Sequence, residues 1–127
     1  MHLSRSAYMR AAAVFAILVA WPVSWSVAAA DIQHGRGLFA ACAFCHSEKQ
    51  NAVGPSLKGV VGRKSATLSD FLYSRSMRQA DLVWDEDNLR EFIADPQVKI
   101  KGNRMQYDGL RSATDVDDVV AYLKTLK

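Results

Sequence analysis

The chain contains only two cysteines, and they lie three residues apart in the segment Cys42-Ala43-Phe44-Cys45-His46. This segment constrains the fold more than any other feature, because residues about one helical turn apart direct their side chains to the same side of the chain. An imidazole follows the second thiol directly. Three chemistries use such a group: a zinc site, thiol–disulfide exchange, and covalent attachment of haem.

The zinc and thiol-exchange readings lack support elsewhere in the sequence. A structural zinc site takes four ligands, yet outside the first thirty residues the only other histidine is His34, and there is no second cysteine pair. A thiol-exchange motif begins a helix that follows a strand, within an alternating pattern of strands and helices. That strand pattern is missing. Both readings therefore have little support and are kept only as alternatives.

The third reading is covalent haem, because C-x-x-C-H is the attachment signature of c-type haem. The two thiols bond to the porphyrin and the adjacent imidazole binds the iron. A second iron ligand is predicted at Met105, a thioether in the polar segment Lys101–Gly109. Met105 serves no helical apolar stripe there, which weakens its alternative role as a core filler.

The first thirty residues differ from the rest. Arg5 and Arg10 precede the apolar run 11–20, and the small residues 26–30 follow. This layout predicts a signal peptide over residues 1–30, cleaved after Ala30 or after Ala28. The apolar run is shorter than the roughly 20 residues that a spanning helix needs, so no stable membrane anchor is expected after cleavage. Export predicts a periplasmic protein.

Residues 31–127 are predicted to form one domain, without an internal linker or repeat. They carry 14 basic and 13 acidic residues, a formal charge of +1, so the overall basicity is no evidence for nucleic-acid binding. Three helices are expected. The first is capped by Asp31 and runs towards Cys42, the second spans about 85–94, and the third spans about 115–126 with Thr114 as its cap.

The sequence resembles the class I cytochromes c, the family of mitochondrial cytochrome c and the bacterial c2 proteins. The resemblance covers nearly all of 31–127 and follows the family's order. Besides the cysteine segment it includes Gly54–Arg63, Phe71–Tyr73, Trp84, Asp95-Pro96, the Met105 segment and Ala121–Lys124. It implies an all-α cytochrome c fold, with helices and loops wrapped around one covalently bound haem, and with the first and last helices crossing closely at Gly35, where Phe39 and Tyr122 pack.

The resemblance also implies the roles of individual residues. Cys42 and Cys45 are the attachment points, and His46 and Met105 are the axial ligands. The carbonyl of Pro55 accepts the other ring N–H of His46, and three residues lie near the haem propionates: Arg63, Tyr73 and Trp84. Three positions depart from the family pattern near the iron: Lys101 in place of proline, Phe92 in place of tyrosine, and Met77 in place of asparagine.

The implied function is one-electron transfer by a monomer that shuttles electrons between respiratory or other periplasmic partners through transient contacts. With both axial positions filled by protein, the iron has no open site for a substrate, so no enzymatic activity is expected. The alternative is a haem c enzyme in which Met105 dissociates to admit a small ligand such as peroxide.

Overall fold

The computed structural model describes residues 28–127; the predicted signal peptide therefore lies almost wholly outside the described residues. Within that part of the chain the regular structure is helical, apart from one antiparallel bridge between Lys64 and Val83. The all-α prediction is confirmed. Residues 28–127 contain five helices: α1 Ile32–Ala43, α2 Arg75–Gln79, α3 Glu86–Ala94, α4 Pro96–Lys99 and α5 Ala113–Leu123.

The crossing of α1 and α5 is the most extensive contact between two helices. Gly35 is buried at this crossing, and a Cβ there would lie 1.9 Å from the backbone oxygen of Asp118. Beside it the rings of Phe39 and Tyr122 pack with their centroids 5.1 Å apart. The predicted close approach at Gly35 is confirmed. Gly37, on the same helix, faces open space.

The cap predicted for the first helix, Asp31, is confirmed, and the second predicted helix begins within one residue of its expected start at 85. The Asp31 side chain accepts from the amides of Gln33 and His34, and the Asp85 side chain accepts from the amide of Asn88. The cap predicted for the last helix was wrong. Ser112, not Thr114, caps α5 and accepts from the amide of Asp115, so that helix begins two residues earlier than expected and ends at Leu123.

The core lies between α3, α5 and the loops that cross them. Trp84 and Phe92 pack against each other within it, with ring centroids 4.9 Å apart and the ring planes tilted by 59°. The buried hydrophobic side chains are Val60, Trp84, Leu89, Phe92, Ile93, Ile100, Val116, Val119, Val120 and Leu123. Long loops on either side of this core, residues 44–74 and 100–112, carry most of the residues that the sequence singled out.

A candidate haem attachment site

The two thiols lie at the end of α1. Cys42 is in its last turn, and Cys45 follows one residue after the C-cap Phe44. The carbonyl of Cys42 accepts from the amides of both Cys45 and His46, at 3.1 and 2.9 Å, which fixes the turn that joins the two cysteines. Both thiols are free and partly buried.

This placement argues against thiol exchange. Reactive thiols of that class lie at the start of a helix, where the helix dipole lowers their pKa. Cys42 instead lies at the end of a helix, and burial raises its pKa. The structure does not support the zinc alternative either, because residues 28–127 contain no group of three or more His, Cys, Asp or Glu side chains placed to hold a metal ion.

His46 is oriented by the chain that follows it. Its Nδ1 lies 2.8 Å from the carbonyl oxygen of Pro55, so Nδ1 carries the proton and donates, and Nε2 is left as the nitrogen available to a metal. Burial lowers the pKa of His46, although the bond to Pro55 acts in the opposite direction. The neutral form that binds iron is therefore favoured.

Gly54 makes this arrangement possible in two ways. Its amide donates to the carbonyl of Cys45 at 2.8 Å, which ties the Pro55 segment to the cysteine turn. A Cβ at Gly54 would lie 2.6 Å from Cε1 and 2.7 Å from Nδ1 of the His46 ring. Any larger residue at position 54 would therefore displace the imidazole. The sequence placed Gly54 in the family's glycine–proline segment but did not identify this contact.

Arg63, Tyr73 and Trp84 lie in one region. The backbones of Arg63 and Trp84 are paired, with the Trp84 amide donating to the Arg63 carbonyl at 2.8 Å. Tyr73 packs edge-on against Phe71; burial raises its pKa, and the nearby positive charge of Arg63 partly opposes that effect.

The Arg63 guanidinium stiffens the segment after Pro55. Its two terminal nitrogens donate to the carbonyls of Lys58 and Ser56, at 2.9 and 2.8 Å. A guanidinium has five N–H donors, so these bonds leave others for a further acceptor.

Met105 lies in the loop between α4 and α5, partly buried against the core. Its backbone is held by two amide side chains. The Met105 amide donates to Oδ1 of Asn103 at 2.8 Å, and its carbonyl receives a longer contact of 3.4 Å from Nε2 of Gln97. The sequence did not single out Asn103 or Gln97. The signal available in the sequence was two amide side chains close to a proline, Gln97 directly after Pro96 and Asn103 two residues before Met105.

The donor set fits a c-type haem. Two free thiols about one turn apart, followed by an imidazole with a fixed tautomer and an available Nε2, provide two attachment points and one iron ligand. A small all-α domain with this set defines a c-type haem protein. The sequence model of the cytochrome c family matches residues 32–127, and the chain belongs to that family.

Similar proteins agree with this assignment. The chain is 47% identical to cytochrome c2 iso-2 of Magnetospirillum molischianum over 91 residues, which cover 70% of this chain and 94% of that protein. It is 37% identical to cytochrome c2 of Blastochloris viridis over 114 residues, 87% of this chain and 90% of that protein. Among solved structures, cytochrome cH from Methylobacterium extorquens matches with a TM-score of 0.71 and 40% identity, over 75% of this chain and 98% of that one.

Family membership gives the cofactor and the general activity. The protein carries one covalently attached haem c and is an electron carrier rather than an enzyme. No helix within residues 28–127 has both the length and the apolar character needed to cross a bilayer.

Proposed function

We propose that the protein is a carrier of the cytochrome c2 type, with its haem attached at Cys42 and Cys45 and its iron held between His46 and Met105. The observation that carries the proposal is the bond between His46 Nδ1 and the Pro55 carbonyl. It fixes both the tautomer and the ring orientation of a ligating histidine, and metal-ligating histidines almost always have such an acceptor.

The restrained position of Met105 supports its role as the second ligand. Its side chain is partly buried, and hydrogen bonds hold both its amide and its carbonyl. The loop therefore presents the thioether from a defined backbone. Methionine ligation raises the reduction potential of a haem, which suits a carrier between respiratory components.

The haem supplies reversible one-electron chemistry, and the chain supplies fixed ligands. His46 is held by a backbone carbonyl and Met105 by a hydrogen-bonded loop. Both ligands can therefore be kept in the oxidised and the reduced protein. Little of the structure then needs to rearrange when an electron arrives or leaves.

Arg63, Tyr73 and Trp84 are proposed to face the haem propionates. Carboxylates that are partly removed from water are costly unless they are hydrogen-bonded or paired with a charge. Arg63 retains N–H donors beyond its bonds to Ser56 and Lys58, and its charge lies near the Tyr73 ring. Trp84 is buried and paired through its backbone with Arg63.

The proposed location is the periplasm, reached by cleavage of the signal peptide before Asp31. Asp31 is the N-cap of α1, and the family match begins at residue 32. Cleavage at this point would therefore leave the folded domain whole. It would also place the new terminal ammonium at Asp118, whose Oδ1 lies 2.6 Å from the Asp31 nitrogen.

Redox partners are proposed to dock transiently near the attachment segment of a monomeric carrier. Phe44, which lies between the two cysteines, is 87% exposed, and Val53, next to Gly54, is 77% exposed. Two lysines, whose charge would otherwise attract an acidic partner over a distance, are partly neutralised. Lys58 lies 3.5 Å from Glu48, and Lys99 pairs with Glu91. Small apolar contacts therefore suit the short-lived complexes of electron transfer better than long-range attraction does.

The enzyme alternative requires Met105 to leave the iron readily. The hydrogen bonds to the Met105 backbone oppose this, and two relatives, 47% and 37% identical to the chain, are cytochromes c2. High-spin ferric iron in the wild-type protein at neutral pH would be needed to revive this alternative.

The test replaces each of the two methionines outside the predicted signal peptide. If Met105 is the ligand, the ferric wild-type protein should show a weak near-infrared sulfur-to-iron band, and Met105→Ala should remove it and lower the potential. Met77 is the matched control, because it is partly buried against the same core but lies in α2. Met77→Ala should keep the band. A Met105→Ala protein that keeps both the band and the wild-type potential would refute the ligand assignment.

A further inference from the structure

The loop that carries Met105 contains one buried side chain with unusually complete bonding. Asn103 is 7% exposed, and all the polar atoms of its side chain are used. Its Nδ2 donates to the carbonyls of Pro96 and Ile100, at 2.7 and 2.8 Å, and its Oδ1 accepts from the Met105 amide at 2.8 Å. The Asn103 side chain thus connects the backbone of Pro96 and Ile100 to the backbone of Met105.

The two carbonyls belong to the start and the C-cap of α4, the short helix Pro96–Lys99. Each carbonyl also accepts a backbone bond: Pro96 from the Ile100 amide at 3.0 Å, and Ile100 from the Asn103 amide at 3.1 Å. The Asn103 side chain adds a second bond to each carbonyl, and the same amide group holds the backbone of Met105 two residues farther on. The position of Met105 is therefore tied to α4, which contacts α3 and through it the core.

Gln97, in α4, also bonds to the backbone of this loop. Its Oε1 accepts from the Gly102 amide at 3.2 Å, and its Nε2 contacts the carbonyls of Asn103 and Met105 at 3.1 and 3.4 Å. Gln97 is exposed, so water can replace its bonds. Asn103 is buried, so water does not readily replace the three bonds of its side chain.

We infer that Asn103 is a positioning residue for the sixth ligand: it holds the Met105 backbone so that the thioether stays on the iron, with Gln97 as a weaker, solvent-exposed support. This inference rests on the proposed role of Met105. Asn103 acts through the backbone of Met105, because the bond runs to its amide.

The test measures how readily Met105 dissociates from the iron in the ferric holoprotein, from the rate at which added imidazole binds. In Asn103→Ala the rate of imidazole binding to iron should rise roughly tenfold or more, because a buried hydrogen-bonded group is lost and each factor of ten corresponds to a modest free-energy change. The near-infrared band should weaken in parallel. Gln97→Ala should change both by less than Asn103→Ala does. Asn103→Ser, which keeps a small donor and acceptor, should lie between Asn103→Ala and the wild type, and it replaces Asn103→Ala if that variant does not fold.

Two controls separate positioning from general destabilisation. Asn88→Ala removes an amide that donates to the Val83 carbonyl at 2.9 Å and makes no bond to Met105, so it should leave the imidazole rate unchanged. In Asn103→Ala, hydrogen exchange of the His46 ring N–H should also stay at the wild-type rate, because the bond to Pro55 is untouched.

The outcomes are distinguishable. A wild-type protein without the near-infrared band would refute the Met105 assignment, and this inference with it. A wild-type protein with the band, together with Asn103 variants that bind imidazole at the wild-type rate, would overturn only the role of Asn103. Equal acceleration in Asn103→Ala and Asn88→Ala would also overturn it, since the effect would then follow stability alone.

Discussion

Gly35 offers the sharpest test of how the fold is assembled. A Cβ at this position would lie 1.9 Å from the backbone oxygen and 2.4 Å from the backbone carbon of Asp118, where ordinary contacts begin at 3.4 Å. The obstructing atoms are backbone, so no side-chain rotation can relieve the clash. In Gly35→Ala, α1 and α5 must separate locally or shift along each other.

The size of the effect follows from two opposing contributions. Overpacking of a well-packed core costs about 1–3 kcal/mol, and a clash with backbone belongs near the upper end of that range. Alanine in place of glycine favours a helix by about 1 kcal/mol. The expected net loss is about 2 kcal/mol, which lowers the melting temperature of a domain of this size by roughly 8–16 °C.

Gly37→Ala is the matched control on the same helix. Nothing lies within 4 Å of a Cβ at Gly37, so the helical preference acts alone. Its melting temperature should stay the same or rise by up to about 8 °C. Thermal unfolding of both holoproteins, followed by circular dichroism, makes the comparison. If Gly35→Ala is as stable as Gly37→Ala, the close helix crossing does not exist in solution.

Two further predictions concern histidines. Gly54→Ala should push the His46 imidazole away from its present position and so speed hydrogen exchange of the ring N–H, measured by NMR. Gly37→Ala should leave that rate unchanged. An unchanged rate in Gly54→Ala would contradict the distance of 2.6 Å between a Cβ at position 54 and Cε1 of His46. His34 Nδ1 lies 2.8 Å from Asp118 Oδ2 and 4.0 Å from Asp115, and the bond to Asp118 raises the His34 pKa and lowers that of Asp118. A raised histidine pKa contributes stability that is complete below its unfolded value of about 6.5 and is lost as the pH rises through the folded pKa. His34→Gln should therefore destabilise the protein more at about pH 5 than at about pH 9 in denaturant titrations; an equal loss at both pH values would refute this linkage.

The long helices could be predicted because their signals are local. Asp31, the predicted cap, does cap α1, and α3 begins within one residue of its predicted start, with Asp85 as its cap. The start of α5 was missed because Ser112 and Thr114 are both good caps, and only the observed bond from the Asp115 amide distinguishes them. The helices α2 and α4, of five and four residues, are too short for a hydrophobic period to be seen.

Some features of the candidate site could likewise be predicted from the sequence, and others could not. The segment from Cys42 to His46 carries its chemistry in consecutive residues, so the sequence alone indicates it. The contact between Gly54 and the His46 ring, and the bonds of Asn103 to Pro96 and Ile100, depend on how loops fold back. A glycine and an asparagine are also ordinary loop residues, so their identities alone give little reason to expect specific roles.

The two proposed iron ligands are held by different kinds of group, and this difference has a consequence. His46 is held by the carbonyl of Pro55, which substitution of a side chain cannot remove directly. Met105 is held by the side chains of Asn103 and Gln97, which a single substitution can remove. The methionine side is therefore where sequence change can alter ligand lability while the histidine side stays fixed. Lys101 lacks the rigidity that a proline would give the chain at this point. The next residue, Gly102, donates its amide to Oε1 of Gln97 at 3.2 Å, so a hydrogen bond restrains the start of the loop.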